Sequence, residues 1–302
     1  MDEKKKAMLM ASFAADALAL GVHWIYDTKQ IAAGHGRMES FVRPAPDSYH
    51  PTKDKGDFTH YGDQTLVLLQ SLAARKAFDL KDFSDRWRKL FEDYKGYIDG
   101  ATRKTLAWYA KGKTAENAGS HTGDFSGASR IAPILYFYNQ DAEEAVSAAR
   151  AQTAMTHNDP YTVDTAEFFA RVIFLIFKGA KPVEAVQEIV STENFEMSPI
   201  SMWVSDGLKS SDRESVSVIS GFGQACETKQ VFPGVIHLIA KYEDNLKEAL
   251  VQAVMAGGDS AARGSMTGMV LGAYLGMESI PGQWLSGMSK GKEIESLLEN
   301  LS

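Results

Sequence analysis

One glycine-rich segment near the C-terminus constrains the fold more than any other feature of this sequence. Residues 256–264 (AGGDSAARG) place Asp259 behind two glycines, immediately before a long apolar stretch. Each interior glycine costs a helix about 1 kcal/mol relative to alanine, so a bare helix face is expected only where another backbone approaches closely. The pattern predicts a helix at the centre of the fold, with Asp259 at its N-terminal end. The glycines that would share one face of this helix recur at every fourth position: Gly264, Gly268, Gly272 and Gly276.

Helical periodicity runs through most of the remaining sequence and predicts an all-α protein. Apolar and polar residues nowhere alternate over a run long enough to propose a sheet. A chain of 302 residues can form one large domain or two ordinary ones. The predicted helices span residues 5–21, 64–78, 82–99, 101–111, 127–138, 141–153, 162–178, 182–190, 232–242, 244–256 and 260–276, and a short one follows near the C-terminus.

Two long stretches lack a helical pattern, residues 26–60 and 193–223. Long loops within a compact domain are usually functional or disordered. The first stretch is rich in Gly, Pro, His and Asp, and it leads directly to a motif that contains Asp63. We therefore expect residues 28–57 to frame a binding site; the alternative is a surface excursion.

Composition and charge argue against several classes of protein. The chain has 44% hydrophobic and 24% charged residues, as globular proteins do, and its net charge of −7 argues against binding to a nucleic-acid backbone. The single cysteine, Cys226, indicates a reducing compartment and is expected to be a buried small side chain rather than a reactive thiol. Residues 4–21 resemble a signal peptide, but Asp16 interrupts their apolar part. No apolar run reaches the ~20 residues that span a bilayer. We expect a cytoplasmic protein without membrane contact.

Four segments together resemble the ADP-ribosylglycohydrolase family, which includes dinitrogenase reductase-activating glycohydrolase and the ADP-ribosyl-acceptor hydrolases. The segments are residues 11–21 (ASFAADALALG), 60–65 (HYGDQT), 221–226 (GFGQAC, followed by FPG at 232–234) and the GGD sequence that ends at Asp259. The resemblance spans nearly the whole chain. It implies one compact orthogonal helical bundle over residues 1–302 and hydrolysis of a ribosyl glycosidic bond.

The sequence departs from the family at its two acidic clusters, which in the family hold a pair of Mg²⁺ ions beside the ribose. The first cluster keeps Asp63, but Gly62 and Gln64 stand where the family has a hydroxyl and a second carboxylate. The second keeps Asp259, but alanines at 261 and 262 replace the other carboxylate and hydroxyl. Mg²⁺ needs a near-octahedral set of oxygen ligands. We therefore expect no metal cofactor; the alternative is Mg²⁺ at Asp63 and Asp259.

Arg263 follows Asp259 by one helical turn, close enough for its side chain to reach the same pocket. A guanidinium held there could occupy the place of a metal ion and pair with both Asp63 and Asp259. We expect that pairing and include Arg263 among the residues of the ligand site.

The residues around Asp63 offer further candidates. Phe58 and Tyr61 could stack on a base or a ribose, although aromatic side chains at a helix entrance are often part of the core. His60 could transfer a proton near neutral pH, or could be a hydrogen-bonded structural residue. Gln64 is expected to contact the ligand in place of the missing carboxylate.

Two further segments match regions of the family that lie near the ligand. The turn at 126–130 (SGASR) could present backbone N–H groups to a diphosphate, with Ser126, Gly127, Ser129 and Arg130 as ligand-binding residues. The alternative is a helix cap with an arginine salt bridge. His157 belongs to the sequence THND, which resembles a ligand-contacting segment but is also a turn signal.

These observations leave two functions open, and a third possibility is that the altered pocket accepts an unrelated substrate, because a fold does not fix a function. The first is hydrolysis of a ribosyl bond in a small-molecule or ADP-ribosylated substrate, with Asp63 as base, Asp259 as positioning carboxylate and His60 or His157 as acid. The second is a catalytically inactive ligand-binding or crystallin-like relative of the same fold, as the missing acidic residues suggest.

Overall fold

The computed structural model describes residues 2–301, and within this range it contains helices and no β-strand. The prediction of an all-α fold is therefore confirmed. The α-helices are α1 (Asp2–Ala19), α2 (Thr28–His35), α3 (His60–Arg75), α4 (Leu80–Leu90), α5 (Gly100–Ala110), α6 (Ser126–Ser129), α7 (Ala132–Phe137), α8 (Ala142–Ala154), α9 (Pro160–Phe177), α10 (Pro182–Val190), α11 (Ile200–Lys209), α12 (Ser215–Phe222), α13 (Thr228–Lys241), α14 (Leu246–Met255), α15 (Ser260–Leu275), α16 (Gly282–Gly287) and α17 (Gly291–Leu301).

The centre of the fold is the packing of α1 against α15. A Cβ atom on Gly268 would lie 2.7 Å from the carbonyl oxygen of Ala11, and one on Gly272 would lie 2.7 Å from that of Ala7. The glycine face of α15 therefore receives the backbone of α1, as the spacing predicts. Gly276 does not extend this face, because it lies beyond the end of α15 and caps the helix with φ of 79°.

Three helices occupy stretches that the sequence analysis predicts as loops. The helix α2 begins after Asp27, whose side chain accepts a hydrogen bond from the backbone N–H of Lys29. The helices α11 and α12 lie within residues 193–223, so the prediction of a long loop there is wrong. The buried residues of α11 are Ile200, Trp203, Val204 and Gly207, and the half-buried Leu208 also packs on the core.

The N-terminal ends of α3 and α15 meet beside the segment that follows α1. The backbone N–H of Trp24 donates to the carbonyl of Gly258 at 2.9 Å, and the N–H of Gly258 donates to the carbonyl of Ile25 at 2.8 Å. These bonds fix the entrance of α15 against the end of α1. Within residues 2–301, no helix combines the length and the hydropathy needed to cross a membrane.

Candidate functional site

Asp259 lies at the N-terminus of α15, in a turn that only glycines can form. Gly257 and Gly258 have φ of 67° and 62°, and a Cβ on Gly258 would lie 2.1 Å from the carbonyl oxygen of Gln224. The carboxylate of Asp259 caps the helix, since its Oδ1 accepts a hydrogen bond of 3.2 Å from the backbone N–H of Ala262. The side chain is completely buried.

The surroundings of Asp259 favour its protonated form. Burial, and then the charge of Asp124, raise the pKa of Asp259 well above its usual range. The Tyr61 hydroxyl donates a weak hydrogen bond of 3.3 Å to Oδ2 of Asp259. Tyr61 thus contacts the candidate site directly, and burial raises the pKa of its phenol, so the hydroxyl keeps its proton.

Asp124 and Cys226 complete a small cluster with Asp259, in which one side-chain oxygen or sulfur atom of each lies within 4.8 Å of the others. Asp124 is held by the backbone N–H of Ser126, which donates to its Oδ1 at 2.9 Å. Burial and the two neighbouring carboxylates raise the pKa of the Cys226 thiol, so it stays protonated and unreactive. Asp124 is not among the predicted site residues, although it lies only two residues before the 126–130 turn.

A cavity of about 320 Å³ opens next to this cluster, between the N-terminal ends of α9 and α13. Its volume lies at the lower end of the range for small-molecule sites, about 300–1,000 Å³. The rings of Tyr161 and Trp203 in its wall meet edge to face, with centroids 6.2 Å apart. The lining residues are Thr122, Gly123, Asp124, Asp159, Tyr161, Trp203, Cys226, Glu227, Thr228 and Lys229.

Three buried histidines lie on the other side of Asp259. His23 is the nearest, with its Nδ1 4.0 Å from Oδ1 of Asp259. His50 and His60 lie beyond it, with ring centroids 5.4 and 6.2 Å from that of His23. The rings of Trp24, Tyr49 and Tyr97 surround this cluster. Of the three histidines, only His60 was a predicted site residue.

Asp63 points away from Asp259. Its Oδ2 accepts hydrogen bonds of 2.5 Å from the Lys53 ammonium and from the Tyr94 hydroxyl. Tyr61 faces Asp259, and residues two apart on a helix lie on different faces, so Asp63 cannot share that site. The structure thus pairs Asp259 with Asp124 rather than with Asp63, which corrects the expected pair of carboxylates.

The space beside Gly62 is filled by another carboxylate. A Cβ on Gly62 would lie 2.5 Å from Oδ2 of Asp16, and Asp16 is fixed by hydrogen bonds of 2.7 and 2.6 Å from the backbone N–H and the hydroxyl of Thr59. Burial raises the pKa of Asp16 to about 6. Lys53 is bound to Asp63, and the second acidic cluster retains only Asp259. These two aspartates therefore do not fit a pair of Mg²⁺ ions, which need octahedral sets of oxygen ligands.

Arg263 does not pair with the two aspartates as expected. Its Nη2 donates to the backbone carbonyls of Ala253 at 2.8 Å and Gly257 at 2.6 Å. Among the ion pairs between residues 2–301, none joins Arg263 to Asp63 or to Asp259. Burial lowers the pKa of the guanidinium to about 10 against the opposing effect of Asp259. Arg263 thus fixes the turn that leads into α15.

Gln64 and Arg130 are buried and bind each other rather than a ligand site. Arg130 Nη1 donates to Oε1 of Gln64 at 3.1 Å, and Trp87 Nε1 donates to the same oxygen at 2.7 Å. Arg130 also donates to Oε1 of Gln152 at 2.7 Å and to the hydroxyl of Thr156. These contacts leave little of either side chain for a ligand, and they do not support the predicted phosphate-binding role of Arg130.

The remaining candidates of the 126–130 turn form a network with His157. The Ser126 hydroxyl lies 3.4 Å from Nε2 of His157, and the Thr156 hydroxyl lies 2.8 Å from Nδ1. A Cβ on Gly127 would lie 2.7 Å from that imidazole ring, so the turn packs directly on His157. The Ser129 hydroxyl donates to the carbonyl of Ser126 at 3.0 Å. The four predicted site residues of this network are buried and support the turn that positions Asp124; they are Ser126, Gly127, Ser129 and His157.

Phe58 and His60 have different surroundings. Phe58 is buried and packs on Phe13 with ring centroids 5.0 Å apart, which makes it a core residue. His60 lies with its Nε2 3.3 Å from Oδ2 of Asp99. Neither side chain lines the cavity beside Asp124.

The chain is similar to several known proteins over most of its length. It is 25% identical to Crystallin J1A of Tripedalia cystophora, with 99% of this chain and 96% of the crystallin covered. It is 23% identical to the mouse ADP-ribosylhydrolase ARH3 (93% and 86% covered) and 23% identical to the ADP-ribosyl-[dinitrogen reductase] glycohydrolase of Rhodospirillum rubrum (80% and 76% covered).

Solved structures and family models agree with these relatives. A chain described as an ADP-ribosylglycohydrolase-related protein complex superposes with a TM-score of 0.76 at 25% identity, covering 100% of this chain and 98% of the other. The family model described as ADP-ribosylglycohydrolase matches residues 1–302. The chain belongs to the ADP-ribosylglycohydrolase family.

Proposed function

We propose that the protein hydrolyses a ribosyl glycosidic bond in an ADP-ribosyl or related nucleoside substrate, and that it does so without a pair of Mg²⁺ ions. The observation that carries this proposal is the pair of carboxylates, Asp124 and Asp259, with oxygens within 4.8 Å of each other beside a cavity large enough for a nucleoside. The family supports a ribosyl substrate, and the carboxylate pair supports the chemistry.

Cleavage of a glycosidic bond passes through an oxocarbenium-like state and requires an acid and a base. Asp259 is the fully buried member of the pair and does not line the cavity, so its proton would reach the leaving group through Asp124 or one intervening water. Asp124 lines the cavity, where it can activate water or stabilise the positive charge on the ribose. Tyr61 holds Asp259 in place, and the rings of Tyr161 and Trp203 provide an apolar wall against which a base can pack.

A substrate panel tests the proposal. The panel contains peptides with ADP-ribose N-linked to arginine or O-linked to serine, together with free nucleosides, and release of ADP-ribose or ribose is measured by mass spectrometry. We expect at least one compound to be cleaved in the presence of EDTA. Absence of cleavage across the panel, with or without added Mg²⁺, would reject hydrolysis of ADP-ribosyl and nucleoside bonds.

The second candidate function is ligand binding without catalysis, favoured by the similarity to Crystallin J1A over 99% of the chain. Isothermal titration calorimetry with ADP-ribose, AMP and ribose 5-phosphate separates the two. Binding of one of these compounds without turnover of any panel substrate would support this second function. If none of them binds at millimolar concentration, a nucleotide pocket is excluded and the substrate must be of another class.

Millimolar Mg²⁺ is expected to leave the melting temperature unchanged, because Lys53 neutralises Asp63 and Asp16 fills the space beside Gly62. An ion that binds only the native state at a hundredfold excess over its Kd would stabilise the fold by about 2.7 kcal/mol. Differential scanning fluorimetry with Mg²⁺ and then EDTA measures this. A clear rise that EDTA reverses would restore the alternative of Mg²⁺ at Asp63 and Asp259.

A further inference from the structure

Three histidines from separate parts of the sequence meet next to the carboxylate cluster. His23 follows the turn at the end of α1, His50 lies in the irregular segment between α2 and α3, and His60 is the first residue of α3. One ring nitrogen of each lies within 4.8 Å of one ring nitrogen of each of the others. The three residues are 2%, 0% and 0% exposed. Three converging imidazoles of this kind form a set of nitrogen ligands shielded from water.

None of the six ring nitrogens in this cluster has a hydrogen-bond partner within the described part of the chain. A neutral imidazole carries one N–H donor and one acceptor, and buried polar groups of native proteins are nearly always paired. Leaving three buried imidazoles without partners is therefore unfavourable. A bound ligand or ion that contacts these imidazole nitrogens would supply the partner that the described side chains do not provide.

Two of the imidazoles have a carboxylate nearby. His60 Nε2 lies 3.3 Å from Oδ2 of Asp99, and His23 Nδ1 lies 4.0 Å from Oδ1 of Asp259, but neither contact has hydrogen-bond geometry. Asp99 is itself fixed by the backbone N–H of Thr102, which donates to its Oδ1 at 2.7 Å. Histidines that bind a metal usually direct their second ring nitrogen to a carboxylate or a carbonyl, which orients the ring.

We propose that His23, His50 and His60 bind a divalent transition-metal ion of the zinc type. Imidazole nitrogens are preferred ligands of Zn²⁺, Co²⁺, Ni²⁺ and Cu²⁺, whereas Mg²⁺ prefers oxygen. In a tetrahedral site with Zn–N bonds of 2.0–2.1 Å the nitrogens are about 3.3 Å apart, so small rotations of the three rings close the site. This site adjoins Asp259, which lies 4.0 Å from His23, but its ligands are the three imidazoles, and zinc binding can be measured independently of the proposed hydrolytic function.

The bound ion would join three segments, of which α1 and the start of α3 are already linked by the hydrogen bonds from Thr59 to Asp16. His50 would anchor residues 36–59 to the end of α1 and to the start of α3. The rings of Trp24, Tyr49 and Tyr97 around the cluster would limit access of water.

Zinc binding to the 302-residue protein tests the proposal. The protein is treated with a chelator, dialysed and titrated with ZnCl₂ by isothermal titration calorimetry, and the metal content after gel filtration is measured by mass spectrometry. We expect one ion per chain in the wild type. His50→Ala should weaken binding by at least about 100-fold, and Asp99→Asn by about 10- to 100-fold, as for other residues that orient a metal ligand.

Matched variants separate this cluster from other metal-binding side chains. His35→Ala removes an exposed imidazole, and Cys226→Ser removes the thiol of the cluster with Asp124; both should bind Zn²⁺ as the wild type does. His50→Gln provides a second test if His50→Ala fails to fold, with circular dichroism as the check on folding. The proposal is overturned if the wild type binds no zinc, or if Cys226→Ser abolishes binding and the folded His50 variant retains it.

Discussion

Asp259→Asn is expected to lower the rate of ribosyl-bond hydrolysis by about 10²–10⁴-fold, the usual contribution of a general acid or base. The amide cannot supply the proton that the buried carboxyl would donate to the leaving group. Asparagine is as good a helix cap as aspartate, so α15 should keep its start and the protein its fold. Steady-state kinetics on the substrate identified by the panel measures the loss, and the melting temperature checks the fold.

Asp124→Asn should show a loss of the same order, whereas Asp63→Asn should retain most of the activity. Asp63 is a suitable comparison because it is also an acidic residue near a helix N-terminus, but it is bound to Lys53 and Tyr94 on another face of α3. If Asp63→Asn lost as much activity as Asp259→Asn while Asp124→Asn remained active, the carboxylate pair assigned to the site would be incorrect.

Gly268→Ala should destabilise the protein by about 3 kcal/mol, at the upper end of the usual range for overpacking. The added methyl group would lie 2.7 Å from the carbonyl oxygen and 3.0 Å from the carbonyl carbon of Ala11. Both are backbone atoms, so no change of rotamer can relieve the contact, and α1 must move away from α15. The free energy of unfolding in urea measures the effect.

Gly264→Ala provides the matched control on the same face of α15. Its added methyl group would lie 3.5 Å from the Cβ of Ala15, which is an ordinary van der Waals distance. This variant should be unchanged or more stable by up to about 1 kcal/mol, because alanine favours the helix. Equal destabilisation by the two substitutions would show that the close approach at Gly268 is not what limits the packing.

The sequence predicts the central helix well because glycine spacing reports directly on backbone contact. The repeat at Gly264, Gly268 and Gly272 requires a close partner, and the small residues of α1 are suited to be that partner. The helix α11 was missed although Ile200, Trp203, Val204 and Leu208 recur at helical spacing, because it is only 10 residues long and contains Ser, Asp and Gly, which are weaker helix formers.

The composition of the candidate site was harder to predict, because it depends on which face of a helix each side chain occupies. Asp63 and Tyr61 are two positions apart and lie on different faces of α3. Which of them faces Asp259 depends on how α3 is rotated in the packed fold, and the sequence does not specify that rotation. Asp124 is brought to Asp259 by the 126–130 turn and by backbone hydrogen bonds between residues 123–125 and 226–228, which are distant in the sequence. His50 lies in an irregular segment, where neither periodicity nor spacing indicates which residues it will contact.

The central packing also has a consequence for biosynthesis. The helix α1 is synthesised well before its main partner α15, which begins at Ser260. At about 5–20 residues per second, α1 must wait on the order of ten to fifty seconds before α15 has been made. During that time its apolar surface has no native partner at the centre of the fold. The nascent chain is therefore exposed to aggregation until its last helices are complete, and it should depend on chaperones that bind apolar segments near the ribosome.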